Sequence, residues 1–492
     1  MAEAKRTPAA SYPTGADPPS ARIPRPQVPA TALHRVFLSL SPMPTHDSPP
    51  IQNADELLEL FRTAEKPVLQ FRIGPEMEKH GLVGADRRPF RFRGEGSVEE
   101  LFLSLNRSGR FRPIRESESS PVIGLEDGTD SITLEPGCQL EHSGGAEVDI
   151  HAVAESFKRH MADLTPYSQE NGIAWYGLGF QPYAKREDLE WVEKARYGIM
   201  KQYLPTRGAR ALDMMLRTAT VQVNLDFSSE ADAMRKLRVS LKAAPIVGAM
   251  FANAPFYEGE ASGNASERLA TWLAVDEARS GLVRNVWNEG ATYKDYVEWA
   301  LDVPMFLVKR PGRVLANTGQ TFRAFLADGF EGERANHEDW TTHINTLFPE
   351  VRLKKTLEVR CADAQGPREA NALPALWVGL LYDDKALADF EALTHDWTFD
   401  EMSAVRAEAP RYGLRAPFRG HTIADEAKVI LRLACEGLER RAFRNAAGRS
   451  EAKYLDGLAE LIDQGSCPAD RLLRVAFSDG LQVALDAHAR LL

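Results

Sequence analysis

The chain has 492 residues, and its 70 Asp and Glu outnumber its 60 Lys and Arg, which gives a formal net charge of −10. This acidic balance argues against a nucleic-acid binder, and no uncharged apolar run reaches the ~18 residues that cross a bilayer. Four cysteines are too few for a disulfide scaffold in a chain of this length, and the absence of CxxC spacing argues against a thiolate zinc site.

The first 48 residues are predicted to form a disordered, proline-rich tail. Residues 1–50 contain 11 of the 30 prolines, and residues 1–42 carry five basic against two acidic side chains. Such a segment buries too little apolar surface to offset its ordering entropy. It has no apolar signal region, and its proline density does not suit an amphipathic transit helix. We therefore expect a cytoplasmic protein, with organellar import through this tail as the less favoured alternative. A simpler interpretation of the tail is that Met43 is the true start.

Residues 49–492 are predicted to form a single catalytic α+β unit with a helical C-terminal part. Strand-like segments cover residues 68–74, 131–134, 221–227 and 356–360. Helical patterns cover residues 55–64, 151–171, 229–252, 293–301 and 424–443. Strands that are spread this widely favour an antiparallel or mixed sheet with helices on one face. The chain has no GxGxxG or Walker A motif, so neither a dinucleotide fold nor a P-loop is indicated.

Polar residues recur at every second position of these strands, opposite apolar ones. Because side chains alternate between the faces of a strand, each set shares one face. The sets are Glu76 and Glu78; Thr133 and Glu135, followed by Glu141; Gln222, Asn224 and Asp226; and Glu358 and Arg360. A solvated outer face is one interpretation for each strand alone. Together the four sets favour a cavity lined by acids. In such a cavity Mg²⁺ or Mn²⁺ would offset the repulsion between the carboxylates and would bridge nucleotide phosphates.

Eight stretches resemble the plant-type, also proteobacterial, glutamate–cysteine ligases, which are carboxylate–amine ligases related to glutamine synthetase. They are RIGPEMEKHG (72–81), TLEPGCQLEHSG (133–144), GLGFQP (177–182), LDMMLRTATVQVNLDFSSEADAMRK (212–236), ALDVPMF (300–306), FPEVRLKKTLEVRCAD (348–363), ALPALWVGLLYDD (372–384) and EGLERRAF (436–443). The resemblance implies an antiparallel sheet that forms an active-site funnel. It also implies that ATP, L-glutamate and L-cysteine give γ-glutamylcysteine through an acyl phosphate.

The resemblance also implies roles for particular residues. The implied metal ligands are Glu76, Glu78, Glu135, Glu141 and Glu358. The implied substrate contacts are Glu135, Gln222, Asn224, Arg217 and Arg268. Arg360, Arg217 and Glu358 are implied to act on the transferring phosphate or the acyl phosphate.

Some positions depart from the family pattern and keep alternatives open. Met77 stands where relatives commonly have His, and the segment 266–272 keeps only Arg268 and Trp272 of its pattern. The amine acceptor could therefore differ from cysteine. Ala154 and Asn371 stand at two positions where plant relatives carry regulatory cysteines, so that disulfide cannot form here. A two-carboxylate hydrolase and a catalytically silent binding protein are the alternatives from other classes, and a monomer or homodimer is expected.

Overall fold

The computed structural model of the protein describes residues 49–492. The predicted tail over residues 1–48 lies outside the described residues, so the division into a tail and one catalytic domain stays a prediction. Within the described part, no helix combines the length and the apolar composition that crossing a membrane requires.

The strands of the described residues range from long core strands to two-residue bridges. In chain order they are β1 Ile73–Val83, β2 Arg88–Pro89, β3 Arg112–Ile114, β4 Gly124–Glu126, β5 Ser131–Leu134, β6 Leu140–Ser143, β7 Ile173–Tyr176, β8 Thr220–Leu225, β9 Phe256–Tyr257, β10 Glu260–Ala261, β11 Ser280–Gly281, β12 Leu307–Arg310, β13 Arg313–Ala316, β14 Phe348–Pro349, β15 Val351–Leu353, β16 Leu357–Asp363, β17 Pro417–Phe418 and β18 His421–Thr422.

Ten of these strands form one antiparallel sheet. Its order is β15–β16–β8–β1–β6–β5–β4–β3, and β2 and β7 pair with the far end of β1. The first half of β1 lies between β8 and β6, which puts its carboxylates at the centre of the sheet. The predicted antiparallel or mixed sheet is therefore confirmed as an antiparallel one.

Helices surround the sheet and dominate the last quarter of the chain. They are α1 Glu59–Arg62, α2 Val98–Asn106, α3 Ile150–Glu170, α4 Ala195–Tyr203, α5 Ala211–Arg217, α6 Glu230–Met250, α7 Glu267–Trp272, α8 Tyr293–Leu301, α9 Phe322–Asp328, α10 His337–Asn345, α11 Ala372–Leu381, α12 Asp384–Thr394, α13 Phe399–Tyr412, α14 Ala424–Arg441, α15 Asp456–Asp463, α16 Pro468–Asp479 and α17 Leu481–His488. The predicted helices over residues 151–171, 229–252, 293–301 and 424–443 match α3, α6, α8 and α14 within two residues at each end.

One face of the sheet is closed by apolar packing. Val221, Val223 and Leu225 of β8 are at most 2% exposed and belong to the main hydrophobic core. Helix α6 packs on β15 and β16, and α11 packs on β8. Ser229 caps α6 by accepting a hydrogen bond from the Asp232 backbone amide, as its sequence position favours. The opposite face is thereby left to form the functional cleft.

The first predicted strand, over residues 68–74, is displaced in the structure. Residues Val68–Gln70 form a 3₁₀ turn, and β1 instead begins at Ile73 and runs through Pro75. Leu69 is 95% exposed, so the apolar run that suggested a strand does not face the core. Pro75 has no amide hydrogen to donate to the sheet, but its carbonyl accepts a hydrogen bond from the Gly144 amide.

Candidate active site

The polar face of the sheet lines a cleft with about 960 Å³ of empty space. Eight of the ten residues proposed from the sequence contribute to its lining: Glu76, Glu78, Glu135, Glu141, Gln222, Arg268, Glu358 and Arg360. The other two, Asn224 and Arg217, do not line the cleft. The period-two pattern of β1, β8 and β16 thus gathers residues from distant parts of the sequence into one cleft.

Two glutamates lie on neighbouring strands at the centre of the cleft. Glu78 of β1 and Glu141 of β6 are direct partners in the strand register, which places their Cβ atoms about 5 Å apart. The Thr220 backbone amide donates to Glu78 Oε2 at 2.9 Å, and the Thr133 hydroxyl donates to Glu141 Oε2 at 2.6 Å. These donors fix the orientation of both carboxylates.

Glu76 is the next carboxylate on the same face of β1. The Asn224 side-chain amide donates to Glu76 Oε1 at 2.7 Å, and the Asn224 carbonyl oxygen accepts from the Thr356 hydroxyl at 2.8 Å. Asn224 is fully buried. It therefore orients Glu76 through this hydrogen bond, although it does not line the cleft itself.

Glu135 comes from the turn that joins β5 to β6. The Glu135 amide bonds to the Gln139 carbonyl, and the Cys138 amide returns to the Glu135 carbonyl, which closes the turn. Gly137 packs against α5 so closely that a Cβ atom there would lie 2.2 Å from the Leu216 carbonyl oxygen. Cys138 is buried at φ 67°, so it is a small turn residue and not an exposed thiol.

Burial and repulsion by neighbouring carboxylates disfavour the charged forms of Glu76, Glu78 and Glu141. Burial, together with the charges of Glu358 and Glu141, raises the pKa of Glu76 from 4.5 to about 7. Burial and the charges of Glu135 and Glu141 hold the pKa of Glu78 well above its ordinary value. Burial and Glu135 likewise raise the pKa of Glu141. We call Glu76, Glu78, Glu135 and Glu141 the acid half of the cleft; a bound cation would stabilise their ionised forms.

Glu358 has different neighbours. Its oxygens lie 2.7 Å from Arg352 Nη2, 2.5 Å from Lys354 Nζ and 3.1 Å from Arg360 Nη1. Although burial opposes ionisation, these three cations hold the pKa of Glu358 well below its ordinary value. We call Glu358, Arg352, Lys354 and Arg360 the cationic half of the cleft, since three positive charges surround one negative charge.

Gln222 joins the two halves of the cleft. Its amide nitrogen lies 3.5 Å from Glu78 Oε1, and its carbonyl oxygen accepts from Arg360 Nη1 at 3.2 Å. One side chain thus contacts a carboxylate of the acid half and a guanidinium of the cationic half. A ligand that bridges the two halves would meet acids at one end and arginines at the other.

Arg268 and Arg217 have different positions, although both were proposed to bind substrate. Arg268 lines the cleft and donates to the Arg360 carbonyl at 2.8 Å. Arg217 is 0% exposed, and its guanidinium lies 4.7 Å from the Phe180 ring centre and 4.3 Å from that of Tyr257. Its Nη1 lies 3.2 Å from Glu258 Oε1. Arg217 therefore lies outside the cleft lining, and its contact with substrate stays a prediction.

The sequence reasoning missed the part of the cleft that helices and loops supply. The lining also includes residues of three helices, α4, α5 and α7, and of the segments before and within β14 and β15. They are Arg196, Tyr197, Met200, Met214, Met215, Trp272, Asn345, Thr346, Phe348 and Arg352. Arg196 is the cation of this set that lies beside the acid half. Although burial opposes its charge, Tyr197, Glu135 and Glu141 raise the pKa of Arg196. No sequence period marks these residues, because tertiary packing brings them to the sheet.

The acid half has the chemistry of a site for hard divalent cations, although its carboxylates do not converge on one point. Among residues 49–492, no three His, Cys, Asp or Glu side chains lie close enough together to hold one metal ion. Carboxylate oxygens are the ligands that Mg²⁺ and Mn²⁺ prefer. The raised pKa values of Glu76, Glu78 and Glu141 show an excess of buried negative charge that such an ion would offset.

The chain is thus an α+β protein whose antiparallel sheet has one face under helices and one face lining a charge-divided cleft. The chain belongs to glutamate–cysteine ligase family 2, whose family model matches residues 72–488. It is 40% identical over 449 residues to the chloroplastic glutamate–cysteine ligase of Arabidopsis thaliana, covering 90% of this chain and 84% of that protein.

Further relatives agree with this assignment. The chloroplastic glutamate–cysteine ligase of Medicago truncatula is 40% identical over 448 residues, covering 90% of this chain and 86% of that protein. A crystal structure of the Francisella tularensis glutamate–cysteine ligase in complex with AMP has a TM-score of 0.52 at 13% identity. The match covers 86% of this chain and 88% of that chain, and it supports the fold.

The names of these relatives overturn the expected location. The plant glutamate–cysteine ligases that the chain resembles are named chloroplastic, which points to plastids and contradicts the prediction of a cytoplasmic protein. That prediction was based on the proline density of residues 1–48, which lie outside the described part of the chain.

Proposed function

We propose that this chain joins the γ-carboxyl group of L-glutamate to the amine of L-cysteine at the expense of ATP. The observation that supports this most is the division of one cleft into an acid half and a cationic half that meet at Gln222. The membership of the family and the 40% identity to named glutamate–cysteine ligases support the same reaction. None of the comparisons favours a different amine acceptor.

The cationic half suits the phosphoryl-transfer step. As the γ-carboxylate oxygen of glutamate attacks the γ-phosphorus of ATP, the bond to the β,γ-bridging oxygen breaks, ADP leaves, and negative charge spreads over the transferring oxygens. Arg360 presents a guanidinium there, and Glu358 holds it in place at 3.1 Å while the rings of Trp272 and Phe348 flank it. Such a preorganised cation stabilises the transition state because it needs little reorientation during the reaction.

The second step forms the amide bond. The amine nitrogen of the acceptor attacks the carbonyl carbon of the acyl phosphate, loses a proton as the C–N bond forms, and inorganic phosphate leaves. Burial of the cleft walls limits competing hydrolysis of the acyl phosphate by water. Arg268 and Arg196 line the same cleft and offer guanidinium groups to the carboxylates of the two amino acids.

The acid half is proposed to hold Mg²⁺, with Mn²⁺ as the alternative. Glu76, Glu78, Glu135 and Glu141 would supply the carboxylates, and Thr133, Thr220 and Asn224 would keep them oriented. When bound, the metal neutralises phosphate charge during transfer. Glu358 was also expected to bind metal, but its oxygens are already engaged by three cations. We therefore assign Glu358 to orienting Arg352 and Arg360.

The test is a screen of amine acceptors. ADP release is measured with ATP, Mg²⁺ and glutamate, adding cysteine or another amino acid in turn. We expect cysteine to give the highest rate, and Glu78→Gln to abolish it, while the exposed Glu118→Gln serves as the matched control. A rate with another amine but none with cysteine would refute the proposed acceptor. Turnover without ATP would instead support a hydrolase.

A further inference from the structure

The boundary between the two halves contains a buried lysine. Lys354 begins the turn that joins β15 to β16, and its amide bonds to the Thr356 carbonyl at 2.9 Å. The residue is only 7% exposed, and its ammonium lies 2.5 Å from Glu358 Oε1. The next residue, Lys355, is exposed. The turn therefore buries one of two adjacent lysines.

The turn that carries Lys354 is also linked to the acid half. Among the charged groups that act on Glu76, Lys354 has the largest effect and lowers the pKa of that carboxyl, against the larger effect of burial. The turn is tied to Glu76 through hydrogen bonds, since the Thr356 hydroxyl donates to Asn224, which in turn donates to Glu76. Lys354 thus contacts Glu358, and Asn224, which pairs with Glu358 in the strand register and donates to Glu76, joins this contact to the acid half.

We propose that Lys354 is a resident cation that takes the place of a divalent ion between Glu76 and Glu358. An ammonium has three donors and no acceptor, so it satisfies carboxylate oxygens much as a metal would. It carries only one charge and cannot dissociate. Divalent ions are then confined to the acid half, and Glu358 stays available to hold the arginines. This inference rests on the metal site of the proposed function.

The experiment measures Mn²⁺ binding to the whole chain without nucleotide or amino acids, by the electron paramagnetic resonance signal of free Mn²⁺. Lys354→Met removes the charge, Lys354→Arg keeps it, and Lys355→Met is the control at the exposed neighbour. Because the ammonium repels a nearby divalent ion even at the dielectric constant of water, losing its charge should tighten binding by about five-fold. We therefore expect tighter binding, or one additional Mn²⁺ per chain, for Lys354→Met alone.

The double variant Lys354→Met/Glu358→Gln tests which carboxylate is involved. Because it removes both members of the pair, its Mn²⁺ isotherm should return to that of the unmodified chain. It also keeps the inference testable where Lys354→Met alone fails to fold, which the thermal midpoint will show. A Lys354→Met isotherm that is unchanged or weaker would overturn the inference while leaving the metal site intact. Absence of Mn²⁺ binding by the unmodified chain would overturn both.

Discussion

The raised pKa of Glu76 predicts how the stability of the metal-free protein depends on pH. Glu76 is 4% exposed, and its pKa rises from 4.5 to about 7 in the folded chain. Because the folded chain holds this proton more tightly than the unfolded chain, stability falls as the pH rises from 4.5 towards 7. When the pH is above the pKa of Glu76 in both the unfolded and the folded chain, the ionised side chain destabilises the fold by about 3 kcal/mol.

Glu76→Gln should remove this penalty, since glutamine keeps the oxygen that accepts from Asn224 and carries no charge. At pH 8 in the presence of a chelator, the variant should be more stable than the unmodified chain by up to about 3 kcal/mol. For a chain of this length, that corresponds to a rise in the thermal midpoint of about 3 °C. At pH 4.5 and below, the two midpoints should differ little.

The assay is differential scanning calorimetry at several pH values, with Glu118→Gln as the matched control for an exposed carboxyl. The control should show the same pH dependence as the unmodified chain. A midpoint difference for Glu76→Gln that is constant with pH, or that falls as pH rises, would refute the reasoning. Adding Mg²⁺ at pH 8 should stabilise the unmodified chain more than the variant, because binding favours the ionised carboxylates.

Three further outcomes are expected from the geometry. Thr133→Val removes the 2.6 Å hydrogen bond to Glu141 and should weaken Mg²⁺ activation about 10-fold, measured as the Mg²⁺ concentration for half-maximal ADP release. Arg360→Lys loses the planar fork and should lower kcat about 100-fold in the same assay, with an unchanged thermal midpoint. Arg217→Met removes the guanidinium that pairs with Glu258 and Asp213, so it should cost about 3 kcal/mol of stability in calorimetry while KM for glutamate stays within about two-fold. A large KM increase with normal stability would instead return Arg217 to substrate binding.

The sheet part of the site could be read from the sequence because the backbone of a strand fixes the faces of its residues. Glu76 and Glu78 share a face whatever the rest of the chain does, and the same holds for Glu358 and Arg360. Assigning side chains to a face from their alternation in the sequence fails beyond the end of a strand. Asp226 follows the last residue of β8, and its carboxylate lies 2.8 Å from Lys66 Nζ, away from the cleft lining.

The helical part of the site could not be read in this way. In α5, Arg217 and Met214 are close in sequence, but Met214 lines the cleft while Arg217 packs against Phe180 and Tyr257. Which face of a short helix meets the sheet depends on tertiary packing, since both faces of α5 are buried. For the same reason, Arg196 and Arg352 carried no signal that distinguished them from surface arginines.

The order of the central strands has a consequence for how the protein is made. Strand β1 ends at residue 83, its neighbour β8 begins at residue 220, and the next strand, β16, ends at residue 363. The centre of the sheet therefore cannot close until most of the chain has left the ribosome. Pairings this distant in sequence fold slowly and leave strand edges exposed in the meantime. During synthesis β1 can pair early with β2, β6 and β7, but the edge that β8 covers stays open until residues 220–225 have been made.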